Sequence, residues 1–310
     1  MNPNTIGTLT AENQTFYDRA LLERCLPLLT FYEDGQKKKI PAGKGTTIEW
    51  RKFGSLTPAT TPLTEGVTPA GSSLAITAIT KSLAQYGDFV VVSDVLDMQG
   101  KDPVVTETSQ LLGEQAALTV NKIISAEISV GTSVRYAGGK TATSALTAAD
   151  VLTGSLVKKA VRDLRKNNIK PFDDGYYHAT ISAEQAYDLQ NDTANGGWID
   201  VSKYANPNNL LTGEVGKYGG VRFRVSSETP VGVGASDATV HKALFYGKNA
   251  YGVPEIGGGA AKPAIIVKSK GSAGTADPLD QRSSIGWKNM FACKRLNELA
   301  IVRVETGISA

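Results

Sequence analysis

The sequence predicts an α+β protein with an extended arm, and three observations carry that reading. Two strand-like segments flank a long Gly- and Pro-rich connection between Gly45 and Asp94. An apolar-faced helix of about 26 residues follows. The second half then alternates β and α patterns and closes in strands. At 310 residues the chain exceeds the usual single core, so two lobes or a domain with an insertion are expected.

Taken in order, residues 1–44 read as an arm carrying one short amphipathic helix from Asn13 to Leu29, with Phe16, Ala20, Leu21 and Leu28 free to cover a groove. Thr46–Phe53 and Leu74–Ile79 have the β-branched and aromatic content of strands. Between them, Pro58, Pro62 and Pro69 with Gly54, Gly66 and Gly71 exclude helix and discourage a central strand. A connection of roughly 20 residues is uncommon inside a compact domain, and an isolated two-stranded ribbon is marginal in water. The hairpin is therefore expected to lie on a neighbouring subunit. Gln85–Asp94 reads as an apolar strand entering a core.

Asp102 can cap the next helix and Pro103 suits its first turn. Val104, Leu111 and Leu118 recur every seven residues, flanked by Val105, Leu112, Ile123 and Ile124. Running to Ile128, this helix would be roughly 39 Å long, either a core helix of a large domain or a spine along an elongated subunit. Gly131–Ser144 is small and polar and reads as a turn or strand pair. Thr147 and Asp150 resemble a capping box before the apolar stripe Leu152, Leu156, Ala160, Val161 and Leu164. Arg162, Arg165 and Lys166 suit the end of that helix, and Asn167-Asn168 a stop. Strands are expected at Tyr176–Thr180, Val221–Ser226, Ala243–Tyr246, Ala264–Lys268, Ile285–Phe291 and Leu299–Val304, with a short helix capped by Ser182.

Composition narrows the function. With 41% hydrophobic and 20% charged residues the chain is globular, and a net charge of +3 does not argue for sequence-specific nucleic-acid binding. The clusters Lys37-Lys38-Lys39 and Lys158-Lys159 read as solvated surface. Cys25 and Cys293 are far apart, which suggests neither a disulfide framework nor a zinc site and fits a reducing cytoplasm. The first residues lack a secretory pattern and no apolar run is long enough to span a membrane.

The motifs of chemistry are missing. Gly138–Thr141 spells GGKT, but a phosphate loop needs a glycine where Val134 stands. Two histidines cannot make H-E-x-x-H, and His178 and His241 sit beside strand patterns without cysteines. Asp173-Asp174-Gly175 after Pro171-Phe172 is a turn signal rather than an acid–base pair. No catalytic, cofactor-binding or metal-ligating residue is assigned, and no enzyme is expected.

Five phrases in order do carry a resemblance: TPLTEGVTP at Thr61–Pro69, QYGDFVVVSD from Gln85, GVRFRVSS from Gly220, LFYGKNAYGVPEI at Leu244–Ile256, and the closing DPLDQRSSIGWKNMFACKRLNELAIVRVE. Together they resemble the major capsid proteins of tailed bacteriophages, in the N4-like coliphage branch, over nearly the whole chain. The resemblance implies the Hong Kong-type capsid fold, with an N-terminal arm at 1–44, an extended hairpin loop at 45–83, a peripheral domain with the spine helix at 84–146, an axial domain at 147–256 and peripheral return strands at 257–310. It also implies a homo-oligomer of hexamers and pentamers forming an icosahedral shell around double-stranded DNA, assembled in the host cytoplasm. Portal and scaffolding partners, non-specific contact with packaged DNA and no membrane partner go with it. Candidate inter-subunit contacts are Leu56, Leu63, Glu65 and Val67 at the hairpin tip. The lysine-to-asparagine crosslinking of one branch of this fold needs a glutamate that no motif here identifies.

An encapsulin-like non-viral shell shares the implied fold, and an α/β enzyme of unknown substrate is the alternative from another class. The last fifty residues carry eight Lys or Arg against four Asp or Glu, so this region or the N-terminal arm is expected to face the polyanion inside.

Overall fold

The computed structural model describes residues 29–40, 47–99, 104–192, 214–255, 264–268, 270–272 and 278–309. The expectations for Phe16–Leu28, Asp102-Pro103 and Gly257–Gly259 fall outside them. In chain order the elements are α1 (Thr30–Asp34), β1 (Gln36–Lys38), β2 (Thr47–Phe53), β3 (Ile76–Ser82), β4 (Ala84–Ser93), α2 (Asp94–Gln99) and α3 (Val104–Ser129). Then come β5 (Val134–Tyr136), α4 (Gly154–Lys166), β6 (Tyr177–Ile181), α5 (Ala183–Gln190), β7 (Glu214–Tyr218), β8 (Val221–Val225), β9 (Val231–Val233) and β10 (Thr239–Tyr246). The last are β11 (Tyr251–Pro254), β12 (Ala264–Lys268), β13 (Arg282–Phe291), β14 (Lys294–Arg295) and β15 (Ile301–Thr306).

One lobe is organised by a mixed sheet ordered β5-β15-β10-β6-β8-β7, with β9 added on β10. Its centre is buried on both faces: every residue of β6 is buried, as are all but one of β15. Such strands need a layer on each side. Helix α4 supplies one by burying Leu156, Val157, Ala160, Val161 and Leu164 against residues such as Phe223, Phe245 and Val302. The C-terminal strand β15 lies between β10 and β5 in this sheet; Val302 and Val304 join its core, while Ile301 at the start of the strand packs into the core of the spine helix. The Thr147–Asp150 box forms a turn, with Asp150 accepting from the Thr147 backbone N–H at 2.8 Å. Helix α4 starts later, at Gly154, whose N–H is taken by Asp192 at 2.7 Å. Ser182 and Gln185 do make the capping box of α5.

The other lobe is organised by the 26-residue α3. It packs on the three-stranded sheet β12-β13-β4. The expected seam through Leu111 and Leu118 is rotated: Leu112, Ala116, Ala117, Val120, Ile124 and Ile128 are buried, whereas Leu111 is exposed. The reason is steric, since Ala116 and Ala117 let the helix approach the bulky Trp287 and Phe291 of β13, and Gln115 fixes the indole by accepting from Trp287 Nε1 at 3.0 Å. Residues 29–40 were grouped with the arm on sequence, yet Leu29, Phe31 and Tyr32 pack into this core and β1 pairs in parallel with β11.

The third, smallest core sits at the root of the hairpin: Ile48 and Trp50 with Ile40, Leu83, Ala292 and Leu296. Gly252 makes it possible, because a Cβ there would overlap the Trp50 indole, with Nε1 only 2.6 Å away. Replacing Gly252 with Ala is expected to unseat Trp50 at a cost of about 1–3 kcal/mol. Thermal unfolding should show a lower midpoint and the tryptophan emission a red shift; an unchanged midpoint would mean that the root has slack.

Candidate assembly surface

β2 and β3 pair antiparallel from Thr47–Ser82 to Phe53–Ile76. Only the root of this ribbon touches a core, since from Arg51 onward every residue to Ala75 is exposed. The ladder ends with Gly54 N–H donating to Ala75 at 2.8 Å, and the tip reverses at a turn where Val67 N–H reaches Thr64 at 3.2 Å. Gly66 provides the positive φ of that turn, +78°. Beyond the ladder, Leu56, Leu63 and Val67 are 59%, 77% and 63% exposed and join none of the three cores. Glu65 stands among them, also exposed. The four sequence-derived contact residues all lie on the connection beyond the ladder and are exposed there.

A second apolar surface was misread from sequence. β4, expected to enter a core, is the edge strand of its sheet and buries only Val92, while Phe89 is 65% exposed and Val90 and Val91 are exposed beside it. Val95 and Leu96 of α2 continue the patch. Its continuous apolar run resembled a central strand, but Tyr86 packs toward the α3 core and Val92 is buried, while no described element of the same chain covers Phe89 and Val91. Apolar patches of this kind mark interaction surfaces.

The residues singled out for chemistry are wired differently. In GGKT, Gly138 and Gly139 have φ of +60° and +70°, but the Asp150 carboxylate occupies the space where a Gly138 side chain would project, so an acid fills the cradle a phosphate would need. Thr147, by donating through its backbone N–H and its hydroxyl, holds the Asp150 carboxyl below the usual carboxylate value. Asp174 forms the anticipated turn, accepting from Tyr176 N–H at 3.0 Å. It also faces His178 Nε2 at 3.1 Å and Arg222 at 3.0 Å. His178 is buried, its Nδ1 lies 2.7 Å from Asp34, and Phe172 stacks on its ring at 4.0 Å. Tyr246 donates to Asp34 at 2.9 Å. This network pins α1 to the large sheet, and the sequence did not reveal it because Asp34, Asp174 and Arg222 come from three distant segments. His241 is desolvated, which lowers its pKa against the opposing pull of Glu184 and Asp188. Among the described residues no group of His, Cys, Asp or Glu could hold a metal, and no helix is long and apolar enough to cross a membrane.

A subunit with a closed interior, a polar network used for bracing and two uncovered apolar surfaces is a building block completed by other chains. The family model described as phage capsid protein matches residues 76–304, so the chain belongs to that family. No curated protein matches its sequence. The capsid of Ralstonia phage GP4 superposes with a TM-score of 0.72 at 13% identity, covering 89% of this chain and 87% of that one. The cyanophage Pam1 capsid gives 0.66 at 17% identity, covering 93% and 92%. A virus-like particle from Pyrococcus furiosus gives 0.53 at 10% identity, covering 93% and 97%. The fold is that of phage capsid proteins, the Hong Kong type, and the chain is a structural shell protein of the virion rather than an enzyme.

The network yields a pH prediction. Burial opposes ionisation of Asp174, but the Tyr176 N–H, His178 and Arg222 outweigh it and hold the carboxyl below its ordinary value of 3.8. The folded state therefore binds this proton less readily than the unfolded chain. Its stabilising contribution is complete above pH about 4 and is lost as pH falls below that value. Asp174→Asn should lower unfolding free energy by about 1–3 kcal/mol at neutral pH. Denaturant titrations of both proteins should converge progressively as pH falls below about 4; a constant gap would contradict the assignment.

Proposed function

We propose that this chain is the major capsid protein of an N4-like tailed phage, assembling as hexamers and pentamers into an icosahedral shell around double-stranded DNA. Residues 45–83 form the arm that each subunit lays over its neighbour, with Leu56, Leu63, Glu65 and Val67 as the contacts. Residues 84–146 form the peripheral domain, 147–256 the axial domain, and 257–310 return strands, of which the last joins the axial sheet. The observation that carries the reading is the hairpin tip, whose Leu56, Leu63 and Val67 are exposed and join no core among the described residues. Burying each of its three apolar side chains fully contributes about 1.5–3 kcal/mol, and a closed shell repeats the contact in every subunit. The five phrases quoted above support the N4-like placement. Portal and scaffolding partners, and assembly in the host cytoplasm, follow from the same reading.

Replacing Ser55–Ser72 with a short Gly-Ser turn tests it. Loop length changes closure entropy by only about 0.6 kcal/mol per doubling, so the subunit should keep its secondary structure and cooperative unfolding. Shells should fail to form in sedimentation and negative-stain microscopy. Normal shells from the shortened protein would refute the arm, and an unfolded product would place the segment in the subunit core.

A further inference from the structure

The exposed face of α4 is densely cationic. Every apolar side chain of this helix is turned inward, and from Lys158 to Lys166 its exposed residues are Lys158, Lys159, Arg162, Arg165 and Lys166. The one acid, Asp163, is half-buried and held by Arg135 at 2.5 Å and Arg162 at 3.1 Å. Five cations against one acid exceed the +3 of the entire chain, so the remainder is on balance slightly acidic. Lys159, Arg165 and Lys166 have no carboxylate partner among the described residues. Among the C-terminal cations, expected on sequence to face the polyanion, Lys294, Arg295 and Arg303 are paired with Glu127, Glu298 and Glu305.

The helix is flanked by two open grooves. One, of about 500 Å³, is lined by Lys158, Arg162, Arg165 and Lys166 with Val161 and Gly219. The other, of about 690 Å³, carries Arg135, Lys140 and Lys159, with Asp150 as its acid. Cations recur along the helix at about one turn, 5.4 Å, and so form a continuous ridge.

We infer that this ridge is the surface through which the subunit contacts the phosphate backbone of double-stranded DNA. The chemistry discriminates between partners. Protein interfaces deplete lysine and need a buried apolar centre, and none of the exposed residues of this face from Lys158 to Lys166 is apolar. Nucleic-acid interfaces are strongly positive and gain affinity by counterion release. The inference rests on the reading of the chain as a DNA-enclosing shell subunit, and its test is made on unassembled protein so that the two fail separately.

Binding of a mixed-sequence duplex of about 30 base pairs to the full-length, unassembled protein is followed by fluorescence anisotropy between about 50 and 200 mM salt. The triple variant Lys159→Glu, Arg162→Glu, Lys166→Glu is compared with Lys39→Glu, Lys268→Glu, Lys288→Glu, which makes the same charge change on other exposed sites. Each lost phosphate contact removes about 0.9 from the log–log salt slope. The helix variant should therefore bind more than about tenfold more weakly at the low-salt end, with a slope shallower by about 2 to 3; the control slope should move by less than about 1. If charge reversal prevents folding, the Gln triple at 159, 162 and 166 serves with the same expected direction. Equal losses in helix and control variants would overturn the proposal, as would absence of wild-type binding. Unchanged DNA affinity with loss of shells would assign the ridge to an acidic surface of another subunit and overturn it too. The hairpin-shortened protein should bind DNA like wild type, whatever becomes of its shells.

Discussion

Trp50 seated against Gly252 fixes where the hairpin leaves the body, and the residues distal to it, from Arg51 to Ala75, are exposed. A ribbon of two strands has no independent stability in water, so a rigid root is required if the tip is to be presented at all. Ile48 and Trp50 supply that root from one strand, while Leu83, Ala292 and Leu296 receive them. From Arg51 outward the chain buries nothing of its own. The subunit thus separates two kinds of apolar surface: three internal cores hold the fold, and the tip and β4 leave theirs uncovered.

That separation explains how the N-terminal segment is treated. Residues 29–40 are held in place by Phe31 and Tyr32 packing on α3, by Tyr251 donating to the Phe31 carbonyl at 2.5 Å, and by Asp34 meeting His178 and Tyr246. A buried charged network is costly unless each member is satisfied, and here Asp34, His178, Asp174 and Arg222 satisfy one another while Phe172 covers the ring. The network braces the seam between the two lobes, where α1 meets the large sheet. It lies away from the grooves beside α4, which leaves that helix free to present its cations.

Much of the architecture was legible in the sequence because it depends on local signals. The Pro- and Gly-rich connection declared the hairpin, sustained apolar recurrence declared α3, and Ser182 declared α5. The side of α3 that is buried was not legible, since Ala116 and Ala117 matter by their smallness against Trp287 rather than by hydrophobicity. β4 was misread because Phe89-Val90-Val91 looks the same whether a strand is covered by its own chain or by another. The short strands β7, β9 and β11 carry too little pattern to register, and the Asp34–His178 contact spans 144 residues. The cations of α4 were visible as Lys158-Lys159, but only the burial of the opposite face shows that they form one ridge.

The central claim is that the hairpin tip acquires its contacts from neighbouring subunits. Hydrogen–deuterium exchange on unassembled protein and on purified shells tests it most directly. The account predicts that amides of the root, Ile48 and Trp50, are protected in both states, and that amides between Gly54 and Ala75 become protected only in the shell. Protection of the tip in the unassembled subunit, or its continued rapid exchange in the shell, would contradict it.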